Sequence, residues 1–238
     1  MNSKNYLLTL MGVASVGVAA AQQRPNIVII MADDLGYGSL NCYGSDRDLV
    51  RTPNIDRLAA QGVRYLNAYS TASVSSPTRY SMLTGEYPFR SGRTSGVVNP
   101  FDPLQINHER PTIADLVKDE GYNTATIGKW HHGYGDLKQV DKTYKAYTGK
   151  LTPGPLDLGF DYHFGTPQNH DDLWGVYIEN DGIWGLKSDK ISGYSRSYYG
   201  EQYVGFDAPR MVLSPSKHTS PYTHCVRVSR SWPAITVL

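Results

Sequence analysis

The segment from Asn26 to Met31 constrains the fold most strongly, because it is a continuous apolar run rich in β-branched side chains. Such a run is typical of a strand that is covered on both faces, as in a parallel sheet between layers of helices. It ends at Ala32-Asp33-Asp34. The first polar cluster of the chain is therefore predicted to lie at the carboxyl end of a buried strand.

Helices and strands are predicted to alternate along the chain that follows. Thr52 is typical of a helix N-cap, Pro53 of a first helical position and Gly62 of a helix end. The other predicted elements are a strand over 63–68, a helix over 77–83 stopped by Gly85, a helix over 112–121, and a strand over 122–127 that leads into Gly128 and Lys129. This order predicts an α/β fold, with a largely parallel, mixed sheet and helices on both faces.

The stretch from Leu151 to Gly205 has little periodicity, and we expect long irregular structure with short strands there. Its aromatic side chains could line a ligand site or pack against the sheet, and the pattern leaves both interpretations open. These aromatics are Trp174, Tyr177, Trp184, Tyr194, Tyr198 and Tyr199.

The first 21 residues have the build of a secretory signal: Lys4, an apolar run from about Tyr6, and Ala19-Ala20-Ala21 at the end. We expect cleavage before Gln22 and export to the periplasm or the exterior of a bacterium. A membrane anchor is disfavoured, because the apolar stretch is shorter than the roughly 20 residues that span a bilayer. With 23 Lys and Arg against 22 Asp and Glu, the net charge of +1 gives no sign of nucleic-acid binding.

The chain is predicted to consist of a signal peptide over 1–21, a catalytic region over 22–210 and an atypical tail over 211–238. The tail contains no Asp or Glu and is rich in Ser, Thr, Pro and His. We expect it to be disordered or the product of a shifted reading frame. Only Cys42 and Cys225 are present, too few for a disulfide scaffold, and we do not expect them to pair.

Two groups of polar residues are candidates for a functional site: one follows the first predicted strand, and the other lies at the start of the second predicted helix. Adjacent carboxylates at Asp33 and Asp34 suit a hard divalent cation, although acidic turns after strands are common. In Ser75-Ser76-Pro77-Thr78-Arg79, we expect Pro77 at the first helical position and Ser75 at the helix mouth, where backbone N–H groups favour an anion. The plainer interpretation is a serine N-cap with a solvated arginine.

A third group, Gly128-Lys129-Trp130-His131-His132-Gly133, also follows a predicted strand. Lys129 can bind an anion, and His131 can exchange a proton near neutral pH. Taken alone, the group is better explained by a structural histidine and a surface lysine. Because active sites of α/β sheets lie beyond the carboxyl ends of strands, we expect this group to meet Asp33 and Asp34.

Together these motifs resemble the sulfatase family of the alkaline phosphatase superfamily. Ser75-x-Pro77-x-Arg79 is the specific signature, and the similarity extends from about Arg24 to Gly165. The other matching segments are Asp33 to Gly38, Thr52 to Ala59, Leu83-Thr84-Gly85, Gly128 to His131, Gly159-Phe160-Asp161 and Phe164-Gly165.

The resemblance implies that Ser75 is oxidised to formylglycine by a maturation enzyme, in the serine form typical of bacteria. The hydrated aldehyde attacks the sulfate ester, and its second hydroxyl then expels sulfate. The resemblance also implies one calcium ion bound by Asp33, Asp34 and residue 75. By the same resemblance Arg79 and Lys129 stabilise negative charge and His131 transfers protons. Asn169 and His170 are implied as substrate contacts.

The implied activity is hydrolysis of sulfate esters of carbohydrates or of aryl alcohols. The sequence departs from the family after Gly165, where no convincing second pair of metal ligands and no later His and Lys follow. We therefore expect an incomplete copy whose calcium shell is half built. Two alternatives stay open: a non-catalytic glycan-binding chain, and a zinc-dependent phosphatase or phosphodiesterase of the same superfamily.

Overall fold

The computed structural model describes residues 24–93, 95–99, 101–135, 144–169, 175–196, 202–209 and 236–237. The predicted signal peptide over 1–21, Cys225 and all of the tail except 236–237 lie outside these ranges. Cys42 is a free thiol. Within the described residues, no helix has both the length and the apolar character that a membrane span requires.

The helices confirm three of the sequence predictions. They are α1 (Pro53–Gln61), α2 (Ser75–Thr84) and α3 (Ile113–Asp119), and each ends close to a glycine. α2 ends at Gly85, which adopts the left-handed conformation (φ 69°) that glycine reaches without steric cost. Short 3₁₀ turns lie between the helices and strands, at Tyr37–Ser39, Asn41–Tyr43, Pro88–Ser91, Tyr144–Thr148 and Pro155–Leu158.

The main sheet is mixed, which agrees with the predicted α/β fold. Its strands are β1 (Thr124–Lys129), β2 (Tyr162–Thr166), β3 (Ile178–Glu179), β4 (Gly182–Ile183) and β7 (Thr236–Val237), in the spatial order β4-β3-β2-β1-β7. β1 pairs in parallel with β2 on one edge and with β7 on the other, while β3 and β4 are antiparallel. A separate antiparallel pair is formed by β5 (Ser188–Arg196) and β6 (Gln202–Asp207).

Two predicted strands are wrong in the described structure. The segment from Asn26 to Met31 forms no strand beyond an isolated bridge at Val28, and 63–68 is irregular. The side chain of Ile30 is 82% exposed and that of Val28 57%. The physical reason is that a strand is stabilised by neighbours on its edges, and the described residues supply no paired strand to this segment.

The core lies between β1, β2 and the turns that follow them. Its buried members surround Trp130 and Phe160, whose rings meet edge to face at a centroid distance of 6.5 Å. The ring of Tyr177 stacks on that of Phe164 in β2, and the ring of Trp184 meets the same phenylalanine edge to face. For these two aromatics, packing against the sheet is therefore the correct interpretation. The side chains of the other four aromatics lie outside the described part of the structure: Trp174, Tyr194, Tyr198 and Tyr199.

The start of α3 ties this helix to the region that precedes β2. The Thr112 hydroxyl accepts hydrogen bonds from the backbone N–H groups of Ala114 and Asp115, and the Asp115 carboxylate accepts from the backbone N–H of Thr112. The same hydroxyl donates to the carbonyl of Leu158 at 2.8 Å. This reciprocal cap satisfies N–H groups that a helix start otherwise leaves unpaired.

Candidate active site

Ser75 and Arg79 lie one turn apart on α2, so their side chains share a face of the helix. The Arg79 Nε atom donates to the Ser75 hydroxyl oxygen at 3.0 Å. One expectation is corrected here: the helix begins at Ser75, and Pro77 is its third residue instead of its first. Proline is tolerated there because the first four N–H groups of a helix have no partner within it.

The guanidinium of Arg79 joins three segments of the chain. Besides Ser75, it donates to the backbone carbonyl of Lys129 at 2.6 Å and lies 3.4 Å from an oxygen of Asp33. Its side chain is 12% exposed. A planar group with several N–H donors can hold such partners at once, so Arg79 sets the relative position of α2, the end of β1 and residue 33.

Lys129 completes the cluster from the end of β1. Its Nζ atom lies 2.7 Å from the second carboxylate oxygen of Asp33 and its side chain is 7% exposed, whereas that of Asp33 is 44% exposed. Partial burial tends to raise the pKa of Asp33, but the hydrogen bond and charge of Lys129, together with Arg79, hold that pKa below its ordinary value. Two cations with little exposure thus face one ionised carboxylate.

Asp34 lines the same cavity as Asp33 and adopts a left-handed backbone conformation with φ 54°. Two adjacent carboxylates are suitable oxygen ligands for a hard cation, but calcium takes six to eight oxygens. Within the ranges that the structure describes, no group of three or more His, Cys, Asp or Glu side chains is placed to share a metal ion. The carboxylates present therefore fit one part of a calcium shell.

His131 is buried beside this cluster, at φ 61°. Because a carbonyl only accepts, its Nε2 donates to the Val98 carbonyl at 3.1 Å, and its Nδ1 has no partner among the described atoms. Burial, followed by the charges of Lys129 and Arg79, lowers the pKa of His131 to about 4. The imidazole is therefore neutral at pH 7, with an unprotonated Nδ1 that can accept a proton.

The sequence analysis assigned no role to Val98, whose backbone makes three hydrogen bonds. Its N–H donates to the Ser76 hydroxyl at 3.0 Å, and its carbonyl accepts from the Gln168 amide at 2.8 Å as well as from His131. Both Val98 and Gln168 are buried. The only local signals were the position of Ser76 inside the signature and that of Gln168 next to Asn169.

A cavity of about 630 Å³ opens beside the cluster. Asp33, Asp34, Arg79 and Lys129 line it, and so does Asn169, whose predicted substrate contact stays a prediction. His170 lies outside the described residues. His132, which the motif contained without a predicted role, is fully buried at the cavity wall, and neither of its ring nitrogens has a partner within the described part of the chain.

Comparisons with known proteins match the chain to one family. The family model described as Sulfatase matches residues 25–205. An N-acetylgalactosamine-6-O-sulfatase of Bacteroides thetaiotaomicron is 41% identical over 197 residues, which are 82% of this chain and 37% of the relative. The chain thus spans well under half the length of that relative.

Solved structures match as well. A 6S-sulfatase structure from work on glycosaminoglycan metabolism by Bacteroides thetaiotaomicron superposes with a TM-score of 0.71 at 29% identity, covering 90% of this chain and 50% of the other. A structure of Ps i-CgsB in complex with k-i-k-neocarrahexaose gives a TM-score of 0.51 at 31% identity, covering 64% of this chain and 30% of the other.

Proposed function

Because the chain belongs to the sulfatase family, we propose that the cluster around Ser75 is its share of a site that hydrolyses sulfuric esters. The observation that carries the proposal is the hydrogen bond between Arg79 Nε and the Ser75 hydroxyl, at 3.0 Å, beside the nearly buried ammonium of Lys129. A candidate nucleophile is thus held by one cation, and a second cation belongs to the same cluster through Asp33.

The two cations suit the charge distribution of a sulfate ester. The ester has a negative charge on its sulfate oxygens, and further charge develops on the leaving oxygen as the bond to sulfur breaks. Donors with little access to water stabilise such charge more strongly than solvated donors do. Arg79 also holds the residue 75 side chain in place, while Asp33 orients Lys129 through their contact of 2.7 Å.

Oxidation of Ser75 to formylglycine would supply a hydrated aldehyde as the nucleophile toward sulfur. A calcium ion held in part by Asp33 and Asp34 would polarise the ester, with its remaining ligands coming from outside the described residues.

His131 is proposed to accept a proton during turnover. Its Nε2 proton is engaged by the Val98 carbonyl, so only Nδ1 is available to the reaction. A pKa of about 4 keeps that atom unprotonated at neutral pH. The imidazole is thus prepared to act first as a base, and an acid role would follow after it has taken up a proton.

The proposed substrates are sulfated carbohydrates, with aryl sulfates as convenient assay compounds. The support comes from the relatives, one of which is named for sulfate at the 6-position of N-acetylgalactosamine, and another of which was solved with a neocarrahexaose. We also propose export of the chain, with cleavage before Gln22. Sequencing of the mature amino terminus tests this part by itself.

The decisive experiment is mass spectrometry of protein made in a host that matures serine-type sulfatases. Trypsin releases the peptide from Tyr65 to Arg79, which contains Ser70, Ser73, Ser75 and Ser76. We expect a loss of two hydrogens that fragmentation locates at Ser75. The variant Ser75→Ala abolishes the loss, and the matched variant Ser76→Ala retains it.

Activity of the matured protein is then measured on 6-sulfated N-acetylgalactosamine and on an aryl phosphate. Sulfate release that depends on Ser75 supports the proposal. Zinc-dependent phosphate release from unmodified protein would favour the phosphatase alternative. Modified protein that binds the sulfated sugar without turnover would favour the non-catalytic one.

A further inference from the structure

The hydrogen bonding between β1 and β2 continues past the ends of both strands. The backbone N–H of His131, which lies beyond the end of β1, donates to the carbonyl of Pro167 beyond the end of β2, at 2.9 Å. This bond places Gln168 beside His131. The side chains of these two residues then reach one common acceptor, the backbone carbonyl of Val98.

The Val98 carbonyl oxygen has two lone pairs, and two N–H donors occupy them. The Gln168 amide donates at 2.8 Å and His131 Nε2 at 3.1 Å. All three residues are buried, so water has little access to these bonds. Because a carbonyl cannot donate, the proton of the neutral imidazole stays on Nε2 for as long as this carbonyl faces the ring.

The peptide bond between Val98 and Asn99 has a second orientation with the opposite polarity. Turned over, it would present the Asn99 N–H to the ring in place of the Val98 carbonyl. A donor at this position requires an acceptor at Nε2 of His131, so the ring proton would move to Nδ1. The orientation of one peptide group therefore sets the tautomer of His131.

The structure holds this peptide group from both of its sides. Gln168 donates to the carbonyl side, while the N–H of Asn99 donates to the Asp102 carboxylate at 2.9 Å. Arg93 fixes that carboxylate through a contact of 2.6 Å and also donates to the Val97 carbonyl at 3.0 Å. Turning the peptide over would break the bonds to Gln168 and to Asp102 together.

We propose that Gln168 and Asp102 are positioning residues for His131. By fixing the peptide between Val98 and Asn99, they keep the ring proton on Nε2 and leave Nδ1 as the basic atom. Both act through the peptide, and neither is required to touch the substrate. The inference rests on the proposed function, in which Nδ1 of His131 accepts a proton.

Nitrogen-15 NMR of the histidine side chains in the full chain measures the tautomer directly. The spectrum is recorded at pH 7, where a pKa of about 4 keeps His131 neutral. The resonances that disappear in His131→Asn identify this residue. We expect the Nε2–H form in the wild type, and a predominant Nδ1–H form there would overturn the proposal without any further variant.

The double variant Gln168→Met/Asp102→Asn weakens the hold on the peptide from both sides. Methionine has a similar length but no donor, and the asparagine amide is a weaker acceptor than a carboxylate. Each lost increment of hydrogen bonding is worth about fivefold in an equilibrium, so the ratio of the Nε2–H to the Nδ1–H form should fall about 25-fold. Gln168→Met alone should lower it about fivefold, and this variant decides if the double variant fails to fold. An unchanged ratio would overturn the proposal.

The matched control is Gln105→Met/Asp161→Asn, which makes the same two changes elsewhere. The Gln105 amide donates to the Ser91 hydroxyl at 3.0 Å, and the Asp161 carboxylate accepts from the backbone N–H of Thr124 at 2.9 Å. Asp161 is 28% exposed, against 27% for Asp102. The control should keep the wild-type tautomer. A shift as large as that of the test variant would mean general loosening of the fold and would overturn the proposal.

Kinetics of the matured protein connects the tautomer to the reaction. On an aryl sulfate, kcat should fall in proportion to the loss of the Nε2–H form while KM stays unchanged. A tautomer shift without this loss of kcat would overturn the claim that the two residues position His131 for turnover. The NMR measurement needs neither formylglycine nor activity, so an inactive wild type would count against the proposed function alone.

Discussion

Lys129 Nζ lies 2.7 Å from Asp33 Oδ2, although 96 positions separate the two residues and their segments share no sheet pairing. The lysine is 7% exposed and the aspartate 44%, so the cation lies on the protein side and the carboxylate faces the cavity. Arg79 adds a second cation to the same carboxylate. This contact is the link between the first polar cluster and the end of β1.

Replacement of Lys129 by Met should raise the pKa of the Asp33 carboxyl. Partial burial already favours the neutral form, and the lysine is the main group that opposes it. Carboxyl carbon NMR over a pH titration measures the change. The matched control is Lys118→Met, which breaks another ion pair of 2.7 Å, with Asp161, outside the cluster. An unchanged Asp33 titration in Lys129→Met would contradict this account.

Replacement of Arg79 by Lys should lower kcat/KM of matured protein by about 10²-fold. The charge is kept, but an ammonium cannot hold Ser75, the Lys129 carbonyl and Asp33 in one planar arrangement. Steady-state kinetics on an aryl sulfate measures the loss. Arg110→Lys, at an exposed pair with Glu86, is the control and should retain full activity. A fully active Arg79→Lys enzyme would show that the planar arrangement of the guanidinium donors is unimportant for activity.

Stability should fall as the pH drops below about 6.5, partly because of His163. Burial lowers the pKa of His163 to about 3 in the folded state, against an ordinary value of 6.5. Between these values the unfolded chain binds a proton that the folded chain does not. Stability from this residue is therefore complete above pH 6.5 and declines on acidification by roughly 1.4 kcal/mol per pH unit.

Denaturant unfolding at a series of pH values measures this slope. His163→Leu should flatten it, because the variant has no imidazole to titrate at this position. His108→Leu, at an exposed histidine, serves as the matched control and should leave the slope as it is. Equal slopes in wild type and His163→Leu would mean that other groups cause the acid sensitivity.

Replacement of Thr112 by Ala should destabilise the fold by about 1–2 kcal/mol. The change removes the N-cap of α3 and also the donor to the Leu158 carbonyl, which is left buried without that bond. Thermal or denaturant unfolding measures the loss. Thr152→Ala, which removes an exposed hydrogen bond to Asp157 at the start of the short 3₁₀ helix Pro155–Leu158, should cost much less. Similar losses in both variants would contradict the assignment to the cap.

Local signals in the sequence determined the helices and the positions of the polar clusters. Pro53 at the start of α1 and the pair Thr112 and Asp115 at the start of α3 act within one helical turn, so their effect is independent of distant partners. The same holds for Ser75 and Arg79, whose spacing alone places them on one face of α2. The α/β class also followed, because the order of elements is a property of the chain itself.

Only the tertiary structure decided which strands form and which polar groups meet. Residues 26–31 carry a strand sequence yet form no strand beyond the isolated bridge at Val28, because a strand needs edges that other segments must supply. The Asp33–Lys129 contact and the three bonds to the backbone of Val98 join residues far apart in sequence. No periodic pattern encodes such contacts, since they depend on how the folded segments approach one another in space.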